Sequence, residues 1–353
     1  ALNPRSLETW LDLAVVLQQL RRYPGVNECA RRALSIDANN ATAHLFLGTS
    51  MLQQQRYDEV VQHLVRALTL EPAYTTAAGA KAGRLSVAGR CATYNNLGLA
   101  LVKLGRIEEA LSAFRAAVAT DASEHVAHSS LVFTAAFHPG YSPQQVLAEA
   151  QAWALQHEAP LRTKRRPHDN ERSPGRRLRL GYVSPDFYAH CQRFFTIPVF
   201  SHHDHGAFEV ICYSSVAVGD RWTQRLKELA DQWHDVRELD DGALAQRIRE
   251  DRIDVLVDLT MHMKHGRLRT FAEKPAPVQI CWLAYPGTTG LAAVDYRVTD
   301  PFLDPPGQPL PYTERPLRLP HSFWCYDPLT HEPNVNPLPA LAAGHVTFGC
   351  LND

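Results

Sequence analysis

Two histidines and one glycine-bearing loop carry most of the chemical potential of this 353-residue sequence. His190 follows Ser184-Pro185-Asp186-Phe187 at the predicted start of a helix, where free amides and the positive end of the dipole favour an anion and a neutral imidazole. Such a ring could accept a hydrogen bond or a proton from a bound hydroxyl, or simply cap the helix. His262 stands after Asp258-Leu259-Thr260, at the end of an apolar run that reads as a buried strand. Asp186 and Asp258 are placed to orient these rings or to cap helices. A further run, Val278 to Leu283, empties into Tyr285-Pro286-Gly287-Thr288-Thr289-Gly290. Pro286 stiffens that loop, the glycines allow close packing, and the threonines add hydroxyls, so it could hold donors against a ligand or merely join two strands tightly.

The elements that must position these groups start at Arg179. Short apolar and β-branched runs at 180–183, 208–213, 253–259, 278–283 and 296–298 alternate with helical stretches at 190–200, 222–233, 243–250 and 267–272. Strand and helix alternation of this kind predicts a parallel sheet covered on both faces, with ligands at the carboxyl ends of its strands. His190, His262 and Tyr285 all fall at such ends. The cluster His202-His203-Asp204-His205 lacks a second ligand group at helical spacing and reads as a solvated loop rather than a metal site.

Ahead of the α/β region lies a repeat array with a period of about 34 residues. Leu13, Ala14 and Ala30 recur as Leu47, Gly48 and Leu64, and a third unit carries Leu97, Gly98 and Phe114. These are tetratricopeptide (TPR) helix hairpins, in which small residues let two helices approach. The phase slips between Gly48 and Gly98, and the extra stretch, residues 77–89, reads as a helical extension or a loop. A fourth, degenerate unit begins near His128. Pro4 is in register with Pro72, so the chain is expected to start inside a longer array. The domain reading is residues 1–136 for the array, 137–178 for a helical connector and basic linker, 179–340 for a Rossmann-like lobe, and 341–353 for the start of a further strand. In the connector, Ser142 reads as an N-cap with Pro143 at the first helical position, and Leu161 to Arg177 reads as a solvated linker or an anion-binding patch.

Composition narrows the partners. With 36 basic and 37 acidic residues, no global field favours nucleic acid or an anionic membrane. Seven scattered cysteines without a Cys-x-x-Cys pair argue for reduced thiols in a cytoplasm, and against structural zinc. No apolar run of membrane-spanning length is visible.

The ordered set Arg179 to His190, Asp254 to Met263, Lys274 to Pro306, Tyr312-Thr313-Glu314-Arg315 and Leu319 to Trp324 resembles the first half of the catalytic region of the O-GlcNAc transferase family, in its bacterial TPR-containing form. The resemblance implies an α superhelix followed by the first lobe of a two-lobed GT-B glycosyltransferase. It also implies inverting transfer of N-acetylglucosamine from UDP-N-acetylglucosamine to serine or threonine hydroxyls of proteins, without a metal cofactor. His190 aligns with the family's proposed active-site histidine. His262, Tyr285, Pro286, Gly287, Thr288, Thr289 and Gly290 would line the sugar end, and Asn96 takes the place of an inner-helix asparagine that contacts the acceptor backbone. Many members have Gly-His-Thr where this chain has Met261-His262-Met263, removing one hydroxyl. On this resemblance the 353 residues are expected to stop short of the family's second lobe, which holds the nucleotide, and so to have negligible activity by themselves. The alternatives are a non-enzymatic TPR adaptor with a degenerate lobe, and a transferase for another sugar or acceptor.

Overall fold

The computed structural model describes residues 6–70, 85–330 and 336–349. Eight helices form four antiparallel hairpins: α1 (Leu7–Gln19) with α2 (Tyr23–Ile36), α3 (Ala41–Gln53) with α4 (Tyr57–Leu70), α5 (Val87–Lys103) with α6 (Ile107–Thr120), and α7 (His125–Ala135) with α8 (Pro143–His157). The small-residue rule has a direct geometric cause. A Cβ on Gly48 would lie 2.3 Å from Leu64, and one on Gly98 would lie 2.5 Å from the Phe114 ring. Of the stretch at 77–89, residues 77–84 lie outside the described residues, and α5 occupies Val87 to Gly89.

The expected cap at Ser142 is present. Its hydroxyl accepts from the Gln145 amide, the Gln145 side chain answers to the Ser142 amide, and Pro143 opens the helix. The helix read from sequence as a connector is therefore also the second helix of the fourth hairpin.

A 3-10 turn (Ala159–Lys164) leads to the sheet, whose strands are β1 (Leu178–Ser184), β2 (Phe208–Ser214), β3 (Gln232–Asp235), β4 (Val255–Asp258), β5 (Val278–Cys281), β6 (Tyr296–Thr299) and β7 (Arg315–Arg318). All pair in parallel in the order β3-β2-β1-β4-β5-β6-β7. On one face α9 (Arg193–His202) and α10 (Arg221–Leu229) bury Phe187, Phe200 and Leu226; on the other α11 (Asp241–Glu250) and α12 (Leu268–Ala272) bury Ile248 and Phe271. Ala150 and Trp153 of α8 belong to this second core, together with Cys281 of β5 and Leu291 and Val294 of the segment that follows it, so the array packs onto this end of the sheet. No helix among the described residues is long and apolar enough to cross a membrane.

Four expectations need correction. The helix predicted over 222–233 ends at Leu229, and Gln232–Asp235 forms the edge strand β3, whose exposed, polar pattern lacks the apolar signature of a core strand. The helix expected from His190 starts at Arg193, because residues 190–192 form a turn before it. The basic stretch 161–177 is a pinned strap rather than a solvated linker: Arg176 grips Asp254 with a two-pronged guanidinium contact at 2.5 and 2.6 Å, Asn170 donates to the same carboxylate at 2.7 Å, and His168 meets the Lys274 carbonyl at 3.0 Å. Finally, no strand forms over residues 346–349, which run exposed after α13 (Pro339–Ala343) and lack a paired neighbour among the described residues.

Candidate active site

Three loops at the carboxyl ends of β1, β4 and β5 hold the residues singled out by sequence. The first carries His190, half-buried, in a turn closed by its own amide donating to the Tyr188 carbonyl at 2.6 Å. Its Nδ1 faces the Gln192 amide at 3.4 Å, and the Cys191 sulfur lies 3.8 Å from the ring nitrogens. An acceptor Nδ1 leaves the proton of the neutral ring on Nε2. Burial raises the pKa of nearby Asp186, and the charge that His190 carries when protonated opposes that rise. Gln192 ties this loop to the second one: its side-chain amide donates to the Leu259 carbonyl at 2.6 Å.

The β4 loop turns on Asp258, 1% exposed, which accepts from the Thr260 and Met261 amides at 2.9 and 3.1 Å. Burial pushes its carboxyl up to about 6 against those two amides. Met261 has φ of 51°, a left-handed conformation suited to glycine, and its side chain is buried in the core. His262 then enters the junction with the array. Its Nε2 donates to the Thr289 carbonyl at 2.9 Å, Nδ1 faces the Ser129 hydroxyl at 3.3 Å, and Trp153 stacks edge-on at 5.3 Å. At 2% exposure the ring is held neutral, its pKa drawn down to about 3 by burial. Both nitrogens are thus engaged inside the protein.

The third loop splits in function. Tyr285, Pro286 and Gly287 wall a largely apolar pocket of about 350 Å³, with Trp282, Trp324 and Phe137 opposite. The Tyr285 ring meets Phe133 edge-on at 5.1 Å, and its buried hydroxyl has no hydrogen-bond partner among the described residues. Thr288 and Thr289 turn inward instead. The Thr288 hydroxyl donates to Glu314 at 2.7 Å, the Thr289 amide does the same at 2.7 Å, and the Thr289 hydroxyl bonds the same carboxylate. Gly290 (φ 73°) sits where a Cβ would be 2.3 Å from the Ala150 carbonyl of α8. Just beyond, the Ala292 and Ala293 amides donate to fully buried Glu158 at 3.1 and 2.9 Å.

The structure therefore joins His262 directly to the Thr289 backbone, whereas the hydrogen bonds of His190 stay within its own loop and the start of α9. Asn96 lies in the array and donates to Thr49 of the preceding hairpin at 3.1 Å. Sequence reasoning missed Gln192, Glu158 and Glu314 as loop-holding residues. Glu314 was visible only as part of the Tyr312 to Arg315 motif. Among the described residues no group of three or more His, Cys, Asp or Glu side chains could hold a metal ion.

The comparisons agree with this architecture. The profile of tetratricopeptide repeats matches residues 92–124. The probable UDP-N-acetylglucosamine–peptide N-acetylglucosaminyltransferase SPINDLY of Solanum lycopersicum is 42% identical over 189 residues, 52% of this chain and 20% of that protein. The UDP-N-acetylglucosamine–peptide N-acetylglucosaminyltransferase of Caenorhabditis elegans is 34% identical over 155 residues, 43% of this chain and 14% of that protein. A mutant of Thermobaculum terrenum O-GlcNAc transferase superposes with a TM-score of 0.78 at 34% identity, over 93% of this chain and 59% of that one. The matched segment thus spans about a fifth of the first of these curated relatives. The profile of glycosyl transferase family 41 covers residues 147–334, more than half of the sequence, and the chain belongs to that family.

Proposed function

We propose that this chain forms the array and the acceptor-side lobe of an enzyme that transfers N-acetylglucosamine, with inversion, from UDP-N-acetylglucosamine to serine or threonine hydroxyls of proteins. The observation that carries the reading is the structural match to an O-GlcNAc transferase along 93% of the chain, with His190 at the carboxyl end of β1. In this reading His190 is the catalytic residue. Its Nδ1 already accepts a weak bond from the Gln192 amide, so Nε2, beside the Cys191 sulfur, is the nitrogen left to donate, which favours donation to a donor phosphate or to the acceptor oxygen over proton abstraction.

Tyr285, Pro286 and Gly287 contact the sugar end through the pocket they line, while His262, Thr288, Thr289 and Gly290 act behind them as positioning residues. Acceptor polypeptides run along the array past Asn96, whose carbonyl oxygen supplies a contact while its amide holds Thr49. The reaction uses no metal and takes place in the cytoplasm.

The test is transfer of radiolabelled sugar from UDP-N-acetylglucosamine to protein by the full natural polypeptide, with and without EDTA, beside His190→Ala. Label that survives EDTA and vanishes with His190→Ala is the expected result. Equal labelling by the variant overturns the role of His190, and loss with EDTA overturns metal independence. A second reading, a non-enzymatic TPR adaptor, is favoured by the inward turn of both threonine hydroxyls. Absence of UDP binding by the folded protein would select it.

A further inference from the structure

A second pocket, of about 500 Å³, lies between α11, the strap at Thr163 to Arg166 and Glu273 at the end of α12, and shares no residue with the one beside Tyr285. Its charged walls are Lys164, Arg166, Arg249 and Glu273. Lys164 pairs with Glu273 at 3.0 Å, which neutralises one cation and leaves two. The Arg249 guanidinium is fixed by backbone oxygens only: the Glu273 and Lys274 carbonyls at 2.8 Å and that of Arg166 at 3.5 Å. Among the described residues neither Arg166 nor Arg249 has a carboxylate within salt-bridge distance. The two guanidinium charges repel across the cavity, and burial together with that repulsion lowers the pKa of Arg249, offset only in part by the charge of Glu273. Gly242 keeps the adjoining wall free of a side chain: a Cβ there would touch the Asp240 and Glu273 carboxylates and the Lys164 amine at 3.5, 3.7 and 3.9 Å.

We propose that this pocket binds a small, multiply charged phosphoryl anion of diphosphate size. Two guanidinium forks need several oxygens with more than one negative charge between them, which a phosphoryl group supplies and a single carboxylate does not. Arg249 is held in place before the ligand arrives, so little ordering entropy opposes binding. Arg166 lies on the strap that leaves α8, and Arg249 lies on a helix of the sheet. A bound anion therefore bridges the strap to the lobe.

The inference does not depend on the transferase reading, and calorimetric titration of the 353-residue chain with sodium pyrophosphate at low salt tests it. Inorganic phosphate serves as the smaller probe. Arg166→Gln changes an exposed residue and is expected to weaken pyrophosphate binding about tenfold, the loss of one charge-assisted contact. Arg225→Gln, an exposed arginine of α10, is expected to leave it unchanged. No binding, or equal weakening by both variants, overturns the proposal. Binding that His190→Ala abolishes and Arg166→Gln spares would also overturn it, because the anion would then sit at the candidate active site.

Discussion

Acid should loosen the junction between array and lobe, by an amount the buried histidines set. His262 and His157 are 2% and 6% exposed, and burial draws each pKa down to about 3, for His157 with help from the neighbouring His128 at 3.1 Å. In the unfolded chain an imidazole titrates near 6.5, so below that pH the unfolded state takes up protons that the folded state refuses. Stability from these two groups is complete above about pH 6.5 and falls as the pH drops toward 3.

From pH 7.5 to pH 5 each ring accounts for a loss of about 2 kcal/mol, about 4 kcal/mol for the pair. Asp258 works in the opposite direction. Its carboxyl is raised from 3.8 to about 6, so it binds its proton first in the folded state and returns about 1 kcal/mol over the same interval. From these three groups together the expectation is a loss of about 3 kcal/mol, to which the other buried histidines of the chain, His128 among them, add in the same direction. His262→Gln keeps a donor for the Thr289 carbonyl but cannot titrate, and should make the loss about 2 kcal/mol smaller than in the parent protein while costing about 1 kcal/mol at pH 7.5 for the missing Ser129 contact. Urea unfolding followed by circular dichroism at both pH values measures this. An unchanged pH dependence in the variant, or none in the parent protein, would refute the reasoning.

Three further outcomes follow from the loop clamps. Glu314→Ala strands three donors that now share one buried carboxylate and should cost about 3 kcal/mol in urea unfolding, with Glu314→Gln milder because an acceptor oxygen remains. Gly290→Ala combines a left-handed backbone with a backbone clash on Ala150. It should lower stability by about 3 kcal/mol and open the junction to limited proteolysis near α8. Trp153→Ala removes the largest fully buried side chain of the shared core, and a loss of about 4 kcal/mol is expected from thermal or urea unfolding.

Much of the fold was legible because its signals are local. The repeat period marked α1 to α6 through pairs such as Gly98 and Phe114, whose spacing reflects one helix touching its own hairpin partner. Apolar runs marked β1, β2, β4 and β5, since strands buried on both faces carry little else. β3 escaped because Gln232 to Asp235 lies at the sheet edge and is stabilised by pairing with β2 rather than by its own burial.

At the site, the placement of His190, His262 and Tyr285 after strands could be read, but their surroundings could not. His262 is sealed by Ser129 and Trp153, more than a hundred positions away in the chain. Glu158 and Glu314 act on the loop from opposite sides in the sequence. No periodicity encodes such pairings, and a lone glutamate near an apolar helix or a short edge strand looks like a solvated charge. Gly290 could be recognised as a residue wanting freedom, but not as one pressed against a helix of the array.

The shared helix α8 also has a mechanical consequence. In a repeat array each hairpin touches only its neighbours, so a displacement passes from one hairpin to the next along the stack. Here the terminal hairpin ends inside the sheet's own core, with Ala150 backbone against Gly290 and Glu158 gripping the amides that follow. Displacement of α8 by even an ångström would have to be shared by the Tyr285 loop, because close-packed interiors shift between discrete arrangements rather than yielding smoothly. A shift of the array would thus reach the pocket beside Tyr285. The solenoid would then work as a lever as well as a grip.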